Sequence, residues 1–251
     1  MKKCLILLFM LFAASPSWAA ITYVSQSSGS NGSTSSTTIA SAGLNVTTGN
    51  FIVVFIGASD TSHCTVSSVT DTAGNTYHQA TGAYKQDNAY DNIGDIWYAY
   101  NVTGNASNVV TATISTSTPY AGITQAQFSG VNTTSSVFDV ATNGASDSSS
   151  TVTSSSFTPA GAGELLFAGV NVSASYTSTA GSGFTLISAG NGNTEYNLSS
   201  SSGSQTASFG VSNSGAHALI SVAAFLAGSG GGGSTTTVTI NNATVNNATI
   251  N

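Results

Sequence analysis

VSSVTDTAGNTYHQA, residues 66–80, decides the fold class. Val66 and Val69 stand in a run of β-branched and small residues, as a half-buried strand requires. Thr72-Ala73-Gly74-Asn75 then supplies turn chemistry. Gly takes positive φ without penalty, Asn tolerates it, and Asp71 can bond back to the turn amides. Tyr77 opens a return strand, so the stretch reads as a β-hairpin that needs no ligand to explain Asp71, Gly74 or Asn75. A chemical alternative is a zinc site built from His63, Cys64, Asp71 and His78. His63 and Cys64 are adjacent, however, and adjacent strand residues face opposite sides. Cys64 reads as a small buried apolar residue.

The same texture extends in both directions. Short apolar or alternating runs recur between Gly, Asn, Ser and Thr clusters: FIVVFIGA (51–58), DIWYAYNV (95–102), NVVTATIS (108–115), ELLFAGVNVS (164–173) and HALISVAAFLAG (217–228) among them. In 108–115, Val110, Ala112 and Ile114 share one face while Thr111 and Thr113 share the other. In 164–173 and 217–228 both faces are apolar, which predicts central strands covered on each side. No long stretch has the 3.6-residue period of an amphipathic helix. Regular strand-plus-turn spacing of this kind belongs to an all-β sandwich or barrel.

Composition bounds the setting. MKKCLILLFMLFAASPSWAA has a basic start, an apolar run too short to span a bilayer, and small residues before a cleavage point after Ala19. Residues 1–19 are therefore read as a signal peptide, and the exported chain is not expected to insert in a membrane. Loss of Lys2 and Lys3 leaves Lys85 as the sole Lys or Arg against nine acids, a net charge of about −8. Such a surface cannot neutralise phosphates, which excludes nucleic acid as a partner. Charged residues make up 5% of the chain, against roughly 25% in ordinary globular domains. Solubility must come from hydroxyl and amide groups. Cys64 is left without an internal partner, so burial alone must hold the fold. The domain is expected over residues 20–227. A Gly-rich linker (228–234) and a flexible Thr/Asn-rich tail (235–251) follow, the tail with TINNA and TVNNA units through which copies could self-associate.

VSSVTDTAGNTY, IWYAYNVTGNASNVVTATIS, YAGITQAQFSGV, GELLFAGV and ISVAAFLAG together resemble a secreted bacterial β-sandwich module of surface and extracellular proteins, of jelly-roll, concanavalin A-like character. The resemblance spans residues 21–227. It implies an antiparallel two-sheet β-sandwich of jelly-roll type and a non-catalytic role in attachment or recognition, with no site residues carried over.

The residues themselves single out 84–100. Tyr84, Tyr90, Trp97 and Tyr98 are candidates for stacking on a carbohydrate or cell-surface glycan. Asp87, Asp91 and Asp95 recur every four residues and offer oxygen ligands for calcium. Two further readings stay open. One is the head of an extracellular fibre, on the strength of the repeats. The other is a polysaccharide-cleaving enzyme using Glu164 and Glu195, the only glutamates.

Overall fold

A computed structural model describes residues 20–59, 64–87, 91–147, 149–173, 175–187, 193–213 and 217–228. Residues 1–19 and 229–251, His63 and Tyr90 lie outside them, so the expectations placed on those residues do too. Among the described residues there is no helix, and all ladders are antiparallel.

The first eleven strands form one unit: β1 (Thr22–Ser30), β2 (Ser36–Ala40), β3 (Leu44–Val46), β4 (Phe51–Ser59), β5 (Val66–Asp71), β6 (His78–Gln79), β7 (Lys85–Asp87), β8 (Asn92–Ala99), β9 (Asn105–Asn108), β10 (Val110–Thr118) and β11 (Tyr120–Ser129). One sheet runs β1-β11-β4-β8-β6, with β7 also on β8; the facing sheet runs β2-β10-β5. First strand thus pairs with last, and β2 with the next to last, which is the wrap of a jelly roll. The expected all-β sandwich of jelly-roll type is present.

The structure adds that the sandwich is built twice. A second unit comprises β12 (Phe138–Asp147), β13 (Thr151–Thr153), β14 (Leu165–Val172), β15 (Ser178–Thr179), β16 (Thr185–Ile187), β17 (Asn193–Asn197), β18 (Ser208–Val211) and β19 (His217–Phe225). Its sheets run β12-β19-β14-β17-β16 and β13-β18-β15, the same order strand for strand. Local bonding repeats as well. Ser41 and Val110 exchange a backbone bond (2.9 Å) and an Oγ bond (3.0 Å), and Ser154 and Ala207 do the same at 2.9 and 3.0 Å. Gly49, at φ 84°, donates to Val102 O; Gly163, at φ 79°, donates to Ser200 O.

The two units stack large sheet on large sheet, giving four layers and three apolar seams. One seam, with Ile52, Val54, Ile56 and Ile114, lies inside the first unit. A second, with Leu166, Val170, Phe209 and Val222, lies inside the other. The central seam joins them through Phe51, Phe55, Phe128, Phe167 and Phe225. This explains why β4, β14 and β19 are apolar on both faces, as expected for two of them: each sheet has a core on either side. Each fully buried side chain of this size contributes about 1.5–3 kcal/mol. Ring pairs across the central seam follow a pseudo-two-fold. Tyr23 stacks on Tyr196 at 5.1 Å, and the equivalent Phe138 stacks on Tyr98 at 5.8 Å. Phe128 meets Tyr196 edge-on at 5.4 Å, as Phe225 meets Tyr98 at 5.2 Å.

The opening stretch needs one correction. Its turn forms where expected, but β5 pairs with β10 and β6 pairs with β8, so the flanking strands belong to different sheets. It is an arch over the edge of the sandwich rather than a hairpin. Asp71 supplies the ties that ladder bonds would otherwise give. Its Oδ1 accepts from Ala73 N and Asn75 N, and its Oδ2 from Asn75 Nδ2, Tyr77 OH and Asn108 Nδ2.

Candidate functional site

Strand register places the residues singled out above. Asp87 pairs with Asn92 across the β7–β8 hairpin. Asn92 and Asp95 are an odd number of steps apart on β8, so Asp87 and Asp95 lie on opposite faces of the sheet. Asp91 sits in the connecting turn at φ 50°. Asp87 lies 3.3 Å from His217 of the second unit. Asp95 points toward the first unit's own seam and is fully buried. The three carboxylates expected to share calcium are therefore separated by the pleat, and among the described residues no three His, Cys, Asp or Glu side chains assemble as a metal site.

Adjacency separates Trp97 and Tyr98 in the same way. Tyr98 is 7% exposed and packs in the central seam against Phe51, Phe138 and Phe225, so it is a core residue and not an exposed sugar platform. Trp97 faces the other way and packs on the first unit's seam. Cys64 is buried and free, as expected of a small core residue.

Tyr84 is the candidate that reaches an opening. An open pocket of about 310 Å³ is lined by Thr65, Val66, Gln79, Thr81, Gly82 and Tyr84. Its wall is built from the β6–β7 connection. The Tyr84 hydroxyl lies 2.6 Å from Cys64 O and 3.1 Å from Gln86 Oε1, which fixes the ring. Gly82 stands at φ 104°, where a Cβ would come within 2.8 Å of Ala141 O, so only glycine suits both the dihedral and the space. The second unit buttresses this wall: Asn143 Nδ2 donates to Gly82 O and to Tyr84 O, each at 3.0 Å.

Behind the pocket lies a buried polar cluster. Asp95 Oδ2 accepts from Gln79 Nε2 and from Trp97 Nε1, both at 2.8 Å, and Oδ1 accepts from Ile96 N at 2.9 Å. Burial pushes the Asp95 carboxyl up to about 6 against the pull of those three donors. Burial raises the Tyr84 hydroxyl too, with Cys64 and Asp95 adding to it.

The second unit serves as an internal control. Gly49 and Gly163 set the alignment, and sheet register carries it across: Gln79 corresponds to Leu186, Asp95 to Asn193 and Trp97 to Glu195. Tyr98 keeps its aromatic counterpart in Tyr196. The shared framework is thus kept in both copies, while the cluster behind the pocket belongs to the first unit alone. Gln79, Thr65 and Thr81 were not singled out from sequence, where one amide and two threonines in a Ser/Thr/Asn-rich chain carry no signal of their own.

The glutamates lie elsewhere. Glu164 is 1% exposed and its Oε1 accepts from Gly161 N at 2.6 Å. Burial and neighbouring Asp139 push its carboxyl up, against the Gly161 N–H. Glu195 is fully buried, takes a bond from Gly181 N at 2.8 Å, and is pushed by burial up to about 8. Neither lines the pocket.

No protein-family model, curated protein or solved structure matches the chain.

Proposed function

We propose that the protein is an exported, non-catalytic attachment module that binds a neutral polyhydroxylated ligand, carbohydrate by class, in the pocket beside Tyr84. The observation that carries this reading is the lining itself. One aromatic ring, one carboxamide, two threonine hydroxyls and no charged side chain meet at the opening. Ring faces and amide or hydroxyl groups are what sugar rings use, through their apolar faces and equatorial hydroxyls. The outer sheets support a setting of neutral contacts, since Thr38, Thr113 and Ser68 stand side by side across β2, β10 and β5. A nearly cation-free chain gives no attraction for anionic polymers.

The test is a glycan array read with the wild-type chain and with Tyr84→Ala and Gln79→Ala. We expect a restricted set of neutral glycans to bind, with at least a tenfold loss in each variant. An array silent with the wild type, or binding unchanged in both variants, overturns the reading.

A further inference from the structure

We propose that Asp95 sets the hydrogen-bonding polarity of the pocket: its carboxylate holds Gln79 by Nε2, turns Oε1 toward the opening, and so selects a ligand that donates a hydrogen bond there. The inference rests on the reading of the pocket as a ligand site and names what that site must recognise.

A glutamine amide has two nearly isosteric orientations, donor one way and acceptor the other. Here the choice is made by what lies behind it. An ionised carboxylate can only accept, and a tryptophan indole can only donate. Trp97 Nε1 and Gln79 Nε2 both reach Asp95 Oδ2 at 2.8 Å. The flipped amide would set Gln79 Oε1 against a carboxylate oxygen, with two acceptors and no proton between them. Gln79 is exposed at the opening, and its Oε1 has no hydrogen-bond partner among the described residues. A hydroxyl proton satisfies that oxygen. An ether or ester oxygen does not.

Protonation of Asp95 reverses the constraint. With a proton on Oδ2 the acid becomes a donor, Gln79 can rotate to accept through Oε1, and Nε2 then faces the pocket. Ile56 lies opposite Asp95 on β4, Gln79 faces it from β6, and Tyr84 and Cys64 are the other titratable groups nearby. No Lys or Arg lines the pocket. The second unit holds Leu186, Asn193 and Glu195 at the three positions and has no such device.

The experiment follows side-chain N–H resonances of the full chain by 1H–15N spectroscopy from pH 4 to 8. The Trp97 indole is assigned by Trp97→Phe and the Gln79 amide by Gln79→Leu. The two resonances are expected to move together with a midpoint near pH 6, and Asp95→Asn, which keeps the shape, is expected to abolish the transition in both. A Gln79 amide that stays still while Trp97 titrates overturns the proposal, as does a transition that survives in Asp95→Asn. A second arm measures methyl α-mannoside, methyl α-glucoside and their per-O-methylated forms, which lack donors. Hydroxylated sugars can donate or accept and methylated ones only accept, so methylated forms that bind at least tenfold more weakly than hydroxylated ones at pH 7.5 and close that gap at pH 5 support the polarity; a ratio between the two forms that is the same at both pH values overturns it. If neither kind binds, the carbohydrate reading falls, and the resonance arm still decides whether Asp95 holds Gln79.

Discussion

Asp71 condenses the chemistry of a chain with only three Lys and Arg residues. Five donors converge on one carboxylate in place of a cation. Burial alone would push its pKa up, but the hydrogen bonds from Asn75, Asn108 and Tyr77 outweigh burial and hold it below the usual carboxylate range. Asp71→Asn changes no volume yet turns one acceptor into a donor facing donors. Each partner stranded in this way costs about 1–3 kcal/mol, so the urea midpoint at pH 7 is expected to fall by an equivalent of at least about 2 kcal/mol. A variant with the wild-type midpoint would show that the five bonds are not structural. A lowered pKa stabilises above the unfolded value and is lost as pH falls through the folded one. The difference between wild type and variant should therefore shrink below pH 4.

At the level of elements, the central seam depends on a knob and a hole at equivalent places. Phe55 on β4 and Gly169 on β14 hold the same position in their units, and the Phe55 ring lies where a Gly169 Cβ would stand. Gly169→Ala overpacks this contact, for a cost of about 1–3 kcal/mol. Differential scanning calorimetry should show a lowered Tm, and the additional change Phe55→Leu should recover part of it by emptying the hole. Strand existence was readable from period and composition, and the apolar faces of 164–173 and 217–228 correctly announced sheets covered on both sides. The duplication behind that covering was not readable. Jelly-roll equivalence survives in Gly49 and Gly163 or Ser41 and Ser154, while FIVVFIGAS and LLFAGVNVS share burial pattern with scarcely a residue in common. The arch at 66–80 was misread because turn chemistry is local, whereas which sheet each flanking strand joins is decided by distant partners, β10 and β8. The same limit governed the site. Tyr84 could be picked from its neighbourhood, but the Asp87, Asp91 and Asp95 spacing suggested a common cluster that a hairpin turn and pleat alternation divide. Gln79, an exposed amide in a two-residue strand, has no sequence signal until Asp95 is known to stand behind it.

For the whole molecule the buried carboxyls dictate an unusual response to pH. Asp95 is raised to about 6 and Glu195 to about 8, both chiefly by burial. In the unfolded chain these groups titrate near 4. Between that value and the folded one the native state holds protons that the unfolded state has released, so stability falls as pH rises across the window. It is fully present below about pH 4, begins to decline above that, and is lost through pH 6 for Asp95 and pH 8 for Glu195. Asp71 works in the opposite sense and only below the ordinary carboxylate range, leaving a maximum on the acid side of neutrality. The high negative charge reinforces the trend, since self-repulsion grows as acids ionise with so few cations to offset it. Thermal unfolding followed from pH 4 to 9 is expected to give the highest Tm near pH 4–5 and a steady fall to pH 8, of order a few kcal/mol in stability. Glu195→Gln, which keeps a neutral group where the acid is protonated, should flatten the fall between pH 6 and 8 and leave the Asp95 portion below it. A Tm that rises from pH 5 to 8 would mean that these carboxyls are already ionised in the native state at pH 5, against the full burial of both side chains.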